Sequence, residues 1–219
     1  MKNKTKAEKT IDFIKNNQTT VFTVFGFTIA IILLVVFIYT RIQVVNANSS
    51  DKLTMATQYF AQTQIEQGVN MLDDIIKNYS NTPAAYRAML TKANYLYGQK
   101  EYEQAKELAQ TIINKAKPDS VKPLAYPLLI AILDNLQNTQ EAIDTSKLFI
   151  EKYKDNFLVP SVMENLARLY EVSGNTEEAN KVCEQIKTLF PDSIYAQRVK
   201  KEEKKAENTT TKNTKTEKK

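Results

Sequence analysis

The sequence predicts an all-α chain: a single N-terminal transmembrane helix followed by an α-solenoid of about four helix pairs. Three observations predict it. No charged residue lies between Lys15 and Arg41, and that gap contains the 22-residue apolar stretch Thr19–Thr40. Beyond it, apolar and small residues recur at a spacing of 37 residues. No stretch of about 4–8 residues alternates apolar and polar side chains as a half-buried strand does.

Residues 1–18 form a short leader with five Lys against Glu8 and Asp12, a charge of +3. The stretch 19–40 follows. At about 1.5 Å per residue it makes a helix of roughly 33 Å, enough to cross a hydrocarbon core of about 30 Å. Tyr39 falls where amphipathic rings favour the interface. Only Arg41 and Lys52 follow the span at a comparable distance, so the positive-inside bias places the N-terminus in the cytoplasm and the rest of the chain outside it. A cleavable leader is the alternative, with Val45-Asn46-Ala47 as a loose cleavage site; the apolar run is long for one. Gly26 and Ala30 form a small-xxx-small pair that allows close approach of another membrane helix. Residues 41–50 read as a linker.

Residues 51–206 carry the repeat. Gly68, Ala105, Ala142 and Ala179 lie 37 residues apart. Around them run the columns Ala56, Ala93, Ile130, Ala167; Tyr59, Leu96, Leu133, Tyr170; Leu72, Ala109, Ser146, Cys183; and Ile75, Ile112, Phe149, Ile186. Each unit reads as two helices with small residues where they approach closely and larger ones between layers. In the last unit Val162, Leu166, Leu169 and Tyr170 share one face. Gly174-Asn175 then breaks the helix, and Asn175 or Thr176 is placed to cap the next. Pro83, Pro118, Pro123 and Pro160 fall between helices or in first turns, where a missing N–H matters little. Pro127 lies deeper and is expected to shift or bend its helix. Cys183 belongs to a packed column, which predicts a structural thiol. Residues 193–206 read as a final amphipathic capping helix. Residues 207–219 contain no apolar side chain, and the composition predicts disorder.

Composition narrows function. The net charge of +5 divides into +3 in the leader, −3 over residues 19–195 and +5 over residues 196–219. The folded body is slightly acidic, which argues against nucleic acid as a partner. There is no His, hence no Ser-His-Asp triad, HExxH zinc site or imidazole base. One Cys and four Gly exclude a Cys-cluster metal site and a Gly-rich phosphate loop. Asp73-Asp74 and Glu177-Glu178 are neighbours about 100° apart on a helix, suited to solvation and helix-dipole partnership rather than to paired acid–base work. The sequence therefore predicts no enzyme, no catalytic residue, no cofactor and no metal.

The unit 163–193, MENLARLYEVSGNTEEANKVCEQIKTLFPDS, resembles a tetratricopeptide repeat: Leu166-Ala167, Tyr170, Gly174, Ala179, Cys183, Ile186 and Pro191 fall on that family's small, aromatic, turn and proline positions. NYLYGQKEYEQAKELAQTII (94–113) is similar, with Tyr102 and Ala105 in register; units one and three depart further. In that family the first helix of each unit lines a concave peptide-binding face. Carried over by position, the resemblance puts Leu53, Thr57 and Phe60 there, with Arg87, Leu90, Asn94 and Tyr97, then Leu124, Ala131 and Asp134, then Glu164, Arg168 and Glu171. Only Arg87 and Asn94 echo the set with which some members clamp a C-terminal carboxylate. The whole plan also resembles the YfgM-type ancillary subunits of the bacterial Sec translocon. That resemblance implies a single-pass protein of the bacterial inner membrane with extracytoplasmic repeats, and as partners the SecYEG channel, periplasmic chaperones or secreted clients. The alternative expectation is an assembly factor or organiser of a cell-envelope complex.

Overall fold

The computed structural model describes residues 13–201, which divide at Asp51/Lys52 into two compact units. The leader before residue 13, the end of the capping helix and the tail 207–219 lie outside the described residues. Helix α1, Gln18–Ala61, is 44 residues long. It is followed by α2 (Ile65–Asn78), α3 (Pro83–Gly98), α4 (Tyr102–Lys115), α5 (Lys122–Asn135), α6 (Thr139–Lys152), α7 (Val159–Val172) and α8 (Thr176–Leu189). A 3-10 turn at Asp119–Val121 precedes α5, and residues 194–201 are again helical. Among the described residues there is no strand.

In the first unit every large apolar side chain from Phe22 to Tyr39 is exposed. Three threonine hydroxyls on or beside the same stretch are satisfied locally. The Thr23 hydroxyl donates to the Thr19 carbonyl at 2.7 Å, Thr28 to Phe25 at 3.2 Å and Thr40 to Phe37 at 2.9 Å. This is the helix among the described residues that is long and apolar enough to cross a membrane. Residues 41–50, expected as a linker, are helical. They contain neither Gly nor Pro, and the Ser49 and Ser50 hydroxyls donate back to the Asn46 carbonyl at 2.9 and 2.8 Å, which accommodates Ser within a helix.

In the second unit each of the helices α2 to α8 packs on its neighbour in the chain, as a solenoid requires. The turn chemistry repeats with the sequence. Thr63, Lys100, Gln137 and Gly174, 37 residues apart, all have positive φ, at 60°, 66°, 59° and 79°. After each, a backbone N–H returns five residues: Gln64 to Tyr59, Glu101 to Leu96 and Asn138 to Leu133 at 2.9 Å, and Asn175 to Tyr170 at 2.8 Å. These are Schellman C-caps, which satisfy carbonyls orphaned at the helix end. Asn175 thus serves through its backbone; its side chain does not cap α8 but donates to the Ser173 hydroxyl at 3.1 Å. Side-chain caps stand elsewhere: Thr82 Oγ1 accepts from the Ala85 N–H, and Ser193 Oγ from the Ala196 N–H, both at 3.1 Å. Pro127 lies inside α5, which nevertheless starts at Lys122, so it does not displace the helix start.

The columns form the core. Ile75, Ile112, Phe149 and Ile186 are each fully buried, and Ala105, Ala142 and Ala179 with Gly68 are buried beside them. Burying one such large side chain stabilises the fold by about 1.5–3 kcal/mol. Ser146 is fully buried in its small column, its hydroxyl donating to the Ala142 carbonyl at 2.8 Å. Cys183 is half-buried against the same core. Gly68 marks the tightest approach: a Cβ there would meet the Phe60 ring at 2.8 Å.

Candidate functional site

The first helices of successive pairs, with their residues predicted for a binding face, are residues 52–61 of α1, then α3, α5 and α7. These side chains are not equally available. Leu53 and Phe60 are half-buried against Ala56, Leu72 and Ile75, and the Phe60 ring meets Tyr95 edge-on at 6.2 Å. Leu90 and Tyr97 likewise pack onto the core. Thr57 is exposed but its hydroxyl donates to the Thr54 carbonyl at 2.7 Å. The Asn94 amide donates to the Leu90 carbonyl at 2.8 Å.

Toward the distal pairs the polar residues engage one another. The Asn135 amide donates to the Tyr97 hydroxyl at 3.1 Å and to the Ala131 carbonyl at 2.8 Å, while its oxygen accepts from Tyr102 at 3.0 Å. Arg168 pairs with Asp134 at 2.8 Å, and Arg198 with Glu164 at 3.2 Å. The Asn135–Tyr97, Arg168–Asp134 and Arg198–Glu164 contacts each link a helix to the equivalent helix one pair away, so together they form a ladder along the face. The structure therefore brings Asp134 to Arg168, and Tyr97 and Ala131 to Asn135. It leaves Arg87, Leu124 and Glu171 exposed, with no ion pair to Arg87 or Glu171 among the described residues. Arg87 and Asn94 stand seven residues apart, two turns along one side of α3.

Asn135 and Arg198 were missed by sequence reasoning. The ladder spacings are 34 and 38 residues rather than 37, so a search along columns of fixed period passes over them. Alternating polar residues on consecutive first helices were the available sign. Among the described residues no group of three or more His, Cys, Asp or Glu is arranged to hold a metal.

Stacked antiparallel helix pairs with small-residue contacts, a recurring Schellman turn and a face of mixed polarity define a helical-repeat scaffold of the protein-interaction type. The chain matches the model of the tetratricopeptide repeat-like domain over residues 12–159 and that of the tetratricopeptide repeat over residues 161–193. The first match covers more than half of the chain, and the protein belongs to the tetratricopeptide repeat-like family. Tetratricopeptide repeat proteins bind other proteins, and this chain is a scaffold of that type. No curated protein matches it. Its fold is similar to that of MamA from Desulfovibrio magneticus RS-1, with a TM-score of 0.54 at 15% identity over 66% of this chain and 78% of that one. MamA AMB-1 gives 0.52 at 20% identity over 65% and 73%. The apo form of RapI gives 0.63 at 14% identity, covering 71% of this chain, which spans about half of RapI, 47%. At these identities the likeness is one of fold.

Proposed function

We propose that the chain is a membrane-anchored scaffold whose repeats lie outside the cytoplasm and hold a protein partner on the first-helix face. The observation that carries this is the helix stretch Thr19–Thr40. Its apolar side chains from Phe22 to Tyr39 are exposed, and the hydroxyls of Thr23, Thr28 and Thr40 are turned back onto the backbone, so it presents mostly hydrocarbon, as lipid demands. The family match begins at residue 12 and so takes in this stretch together with the repeats. A span confines the binding face to the membrane surface and raises its effective concentration around a membrane partner.

In the finer form of the proposal, the partner belongs to the secretory apparatus: the translocon channel, or chaperones and clients beside it. The resemblance in plan to YfgM-type subunits supports this form. The binding side chains are those not consumed by the core or the ladder, namely Thr57, Arg87, Asn94, Leu124 and Glu171. Photo-crosslinkers at Arg87 and Leu124 in intact membranes test it. Translocon components or secretory chaperones are expected among the adducts; their absence, with one stoichiometric envelope protein captured instead, would transfer the protein to the assembly factors. Protease added outside the inner membrane is expected to remove the repeats. A tag at Lys219 protected in spheroplasts would overturn the orientation.

A further inference from the structure

The second helices carry a feature that protein capture on the opposite face leaves unexplained. Between α6 and α8, with α7 as its floor, lies a cleft of about 680 Å³. Clefts of about 300–1,000 Å³ lined by apolar side chains and a few polar groups are of ligand size. Val159, Met163, Leu166 and Tyr170 line it at intervals of four, three and four residues, one continuous stripe along α7. At about 1.5 Å per residue that stripe is about 16 Å long, a trough rather than a hole. Val182 and Leu189 of α8 face it, Val182 buried and Leu189 exposed.

The cleft exists because of a change in the repeat. Thirty-seven residues before Met163 stands Tyr126, whose ring packs against Phe149 and Tyr153 at centroid distances of 5.4 and 5.6 Å. The corresponding trio in the last pair is Met163, Ile186 and Phe190, so two of three rings are gone. One pair earlier, Lys106 of α4 and Glu141 of α6 close the second-helix face with an ion pair at 2.9 Å. The register equivalents are Ile143 and Glu178, and Ile143 brings no charge to meet Glu178.

The α6 rim of the mouth is cationic in excess: Lys147 and Lys154 against Glu151. Lys181 is already held by Glu177 and Glu178 at 2.9 and 2.8 Å. Lys147 lies 5.5 Å over the Tyr170 ring, at one end of the stripe, and Lys154 makes no ion pair among the described residues. We propose that this cleft binds a single-chain anionic amphiphile, its alkyl chain laid along the α7 stripe and its carboxylate or phosphate head at Lys147 on the α6 rim.

The test uses the full chain in phosphatidylcholine nanodiscs and three probes with a terminal diazirine: dodecanoate, dodecyl phosphate and dodecyltrimethylammonium. After irradiation the adducts are mapped by peptide. Labelling of the peptides holding Met163 and Val182 by either anionic probe, and its loss with the cationic head, is expected; which anionic probe labels more identifies the head group. Met163→Tyr restores the ring that closes the preceding pair and is expected to abolish that labelling with helix content retained. Lys147→Glu, on the surface, is expected to weaken it should the tyrosine variant fail to fold. Equal labelling by all three heads, persistence in well-folded Met163→Tyr, or adducts confined to residues 19–40 would each overturn the proposal.

Discussion

The Arg168 guanidinium donates to the Asp134 carboxylate at 2.8 Å, tying α7 to α5 across one repeat. Both residues were expected to face a partner, and they face each other instead. The pair is partly exposed, so its expected contribution to stability is only about 0.2–1 kcal/mol, less at high salt. A double-mutant cycle of Asp134→Ala and Arg168→Ala, followed by urea unfolding, should return a coupling in that range. The same logic ranks the binding variants. Arg87→Ala should weaken partner crosslinking more than Arg168→Ala, because only Arg87 offers a charge not already committed.

The turn column supplies a second prediction. A residue with a side chain costs about 1–2 kcal/mol in the left-handed region, whereas Gly loses about 0.4–1 kcal/mol of additional chain freedom on folding. The first quantity is larger. Lys100→Gly and Gln137→Gly, at φ of 66° and 59°, should therefore each stabilise the repeats by about 0.5–1 kcal/mol. Thr63→Gly should gain more, since a β-branched residue tolerates positive φ least. Gly174→Ala should lose a similar amount. Urea midpoints at unchanged m-value provide the comparison; a loss on Lys100→Gly would mean that its side chain makes a compensating contact.

These four turns show what the sequence made legible. Gly174 announced the last turn because glycine is the residue its φ favours, and the column of small residues at 68, 105, 142 and 179 announced the helix contacts. Thr63, Lys100 and Gln137 announced nothing individually, since their strain is imposed by the packed helices on either side. The helical state of residues 41–50 was hidden for a related reason: Asn and Ser read as linker composition until the Ser49 and Ser50 hydroxyls are seen donating back to the Asn46 carbonyl. The cross-repeat pairs depend on where long side chains end, which columns of Cα positions do not record. The cleft, by contrast, was written in the column holding Tyr126 and Met163.

The close approach of Gly68 to Phe60 gives a third prediction with a sign that depends on the background. In an open helix Gly→Ala gains about 1 kcal/mol. At position 68 the new methyl would lie 2.8 Å from the Phe60 ring, with the Ala56 carbonyl at an ordinary 3.4 Å. The ring is half-buried between α2 and Tyr95, so it yields only by giving up packing. Gly68→Ala alone should therefore be neutral to destabilising. In a Phe60→Ala background the obstacle is gone, and the same substitution should stabilise by about 0.5–1 kcal/mol. Equal effects in both backgrounds would show that the ring does not set the requirement for glycine.

The last prediction concerns acid. The Lys52 ammonium pairs with the Asp74 carboxylate, which also accepts from the Asn78 amide at 2.6 Å. The hydrogen bond from Lys52, then that from Asn78, holds Asp74 below the ordinary carboxylate value; the same contact with Asp74 raises Lys52. For a carboxyl lowered on folding, the stabilisation is complete above its unfolded pKa and is lost as pH falls through the folded one. For a lysine raised on folding, it is complete below the unfolded pKa and lost as pH rises through the folded one. The pair's contribution should therefore be level between about pH 5 and pH 9 and decline on both sides. Asp119 and Glu177 are lowered by Lys122 and Lys181 in the same way, so the overall acid transition will not isolate this contact. The difference in melting temperature between the protein and its Asp74→Asn variant does isolate it. That difference should be positive at neutral pH, shrink toward zero as pH falls below 4, and diminish in about 1 M salt. A difference that stays constant down to pH 2 would mean that the ion pair contributes nothing to holding α2 on the first helix of the repeats.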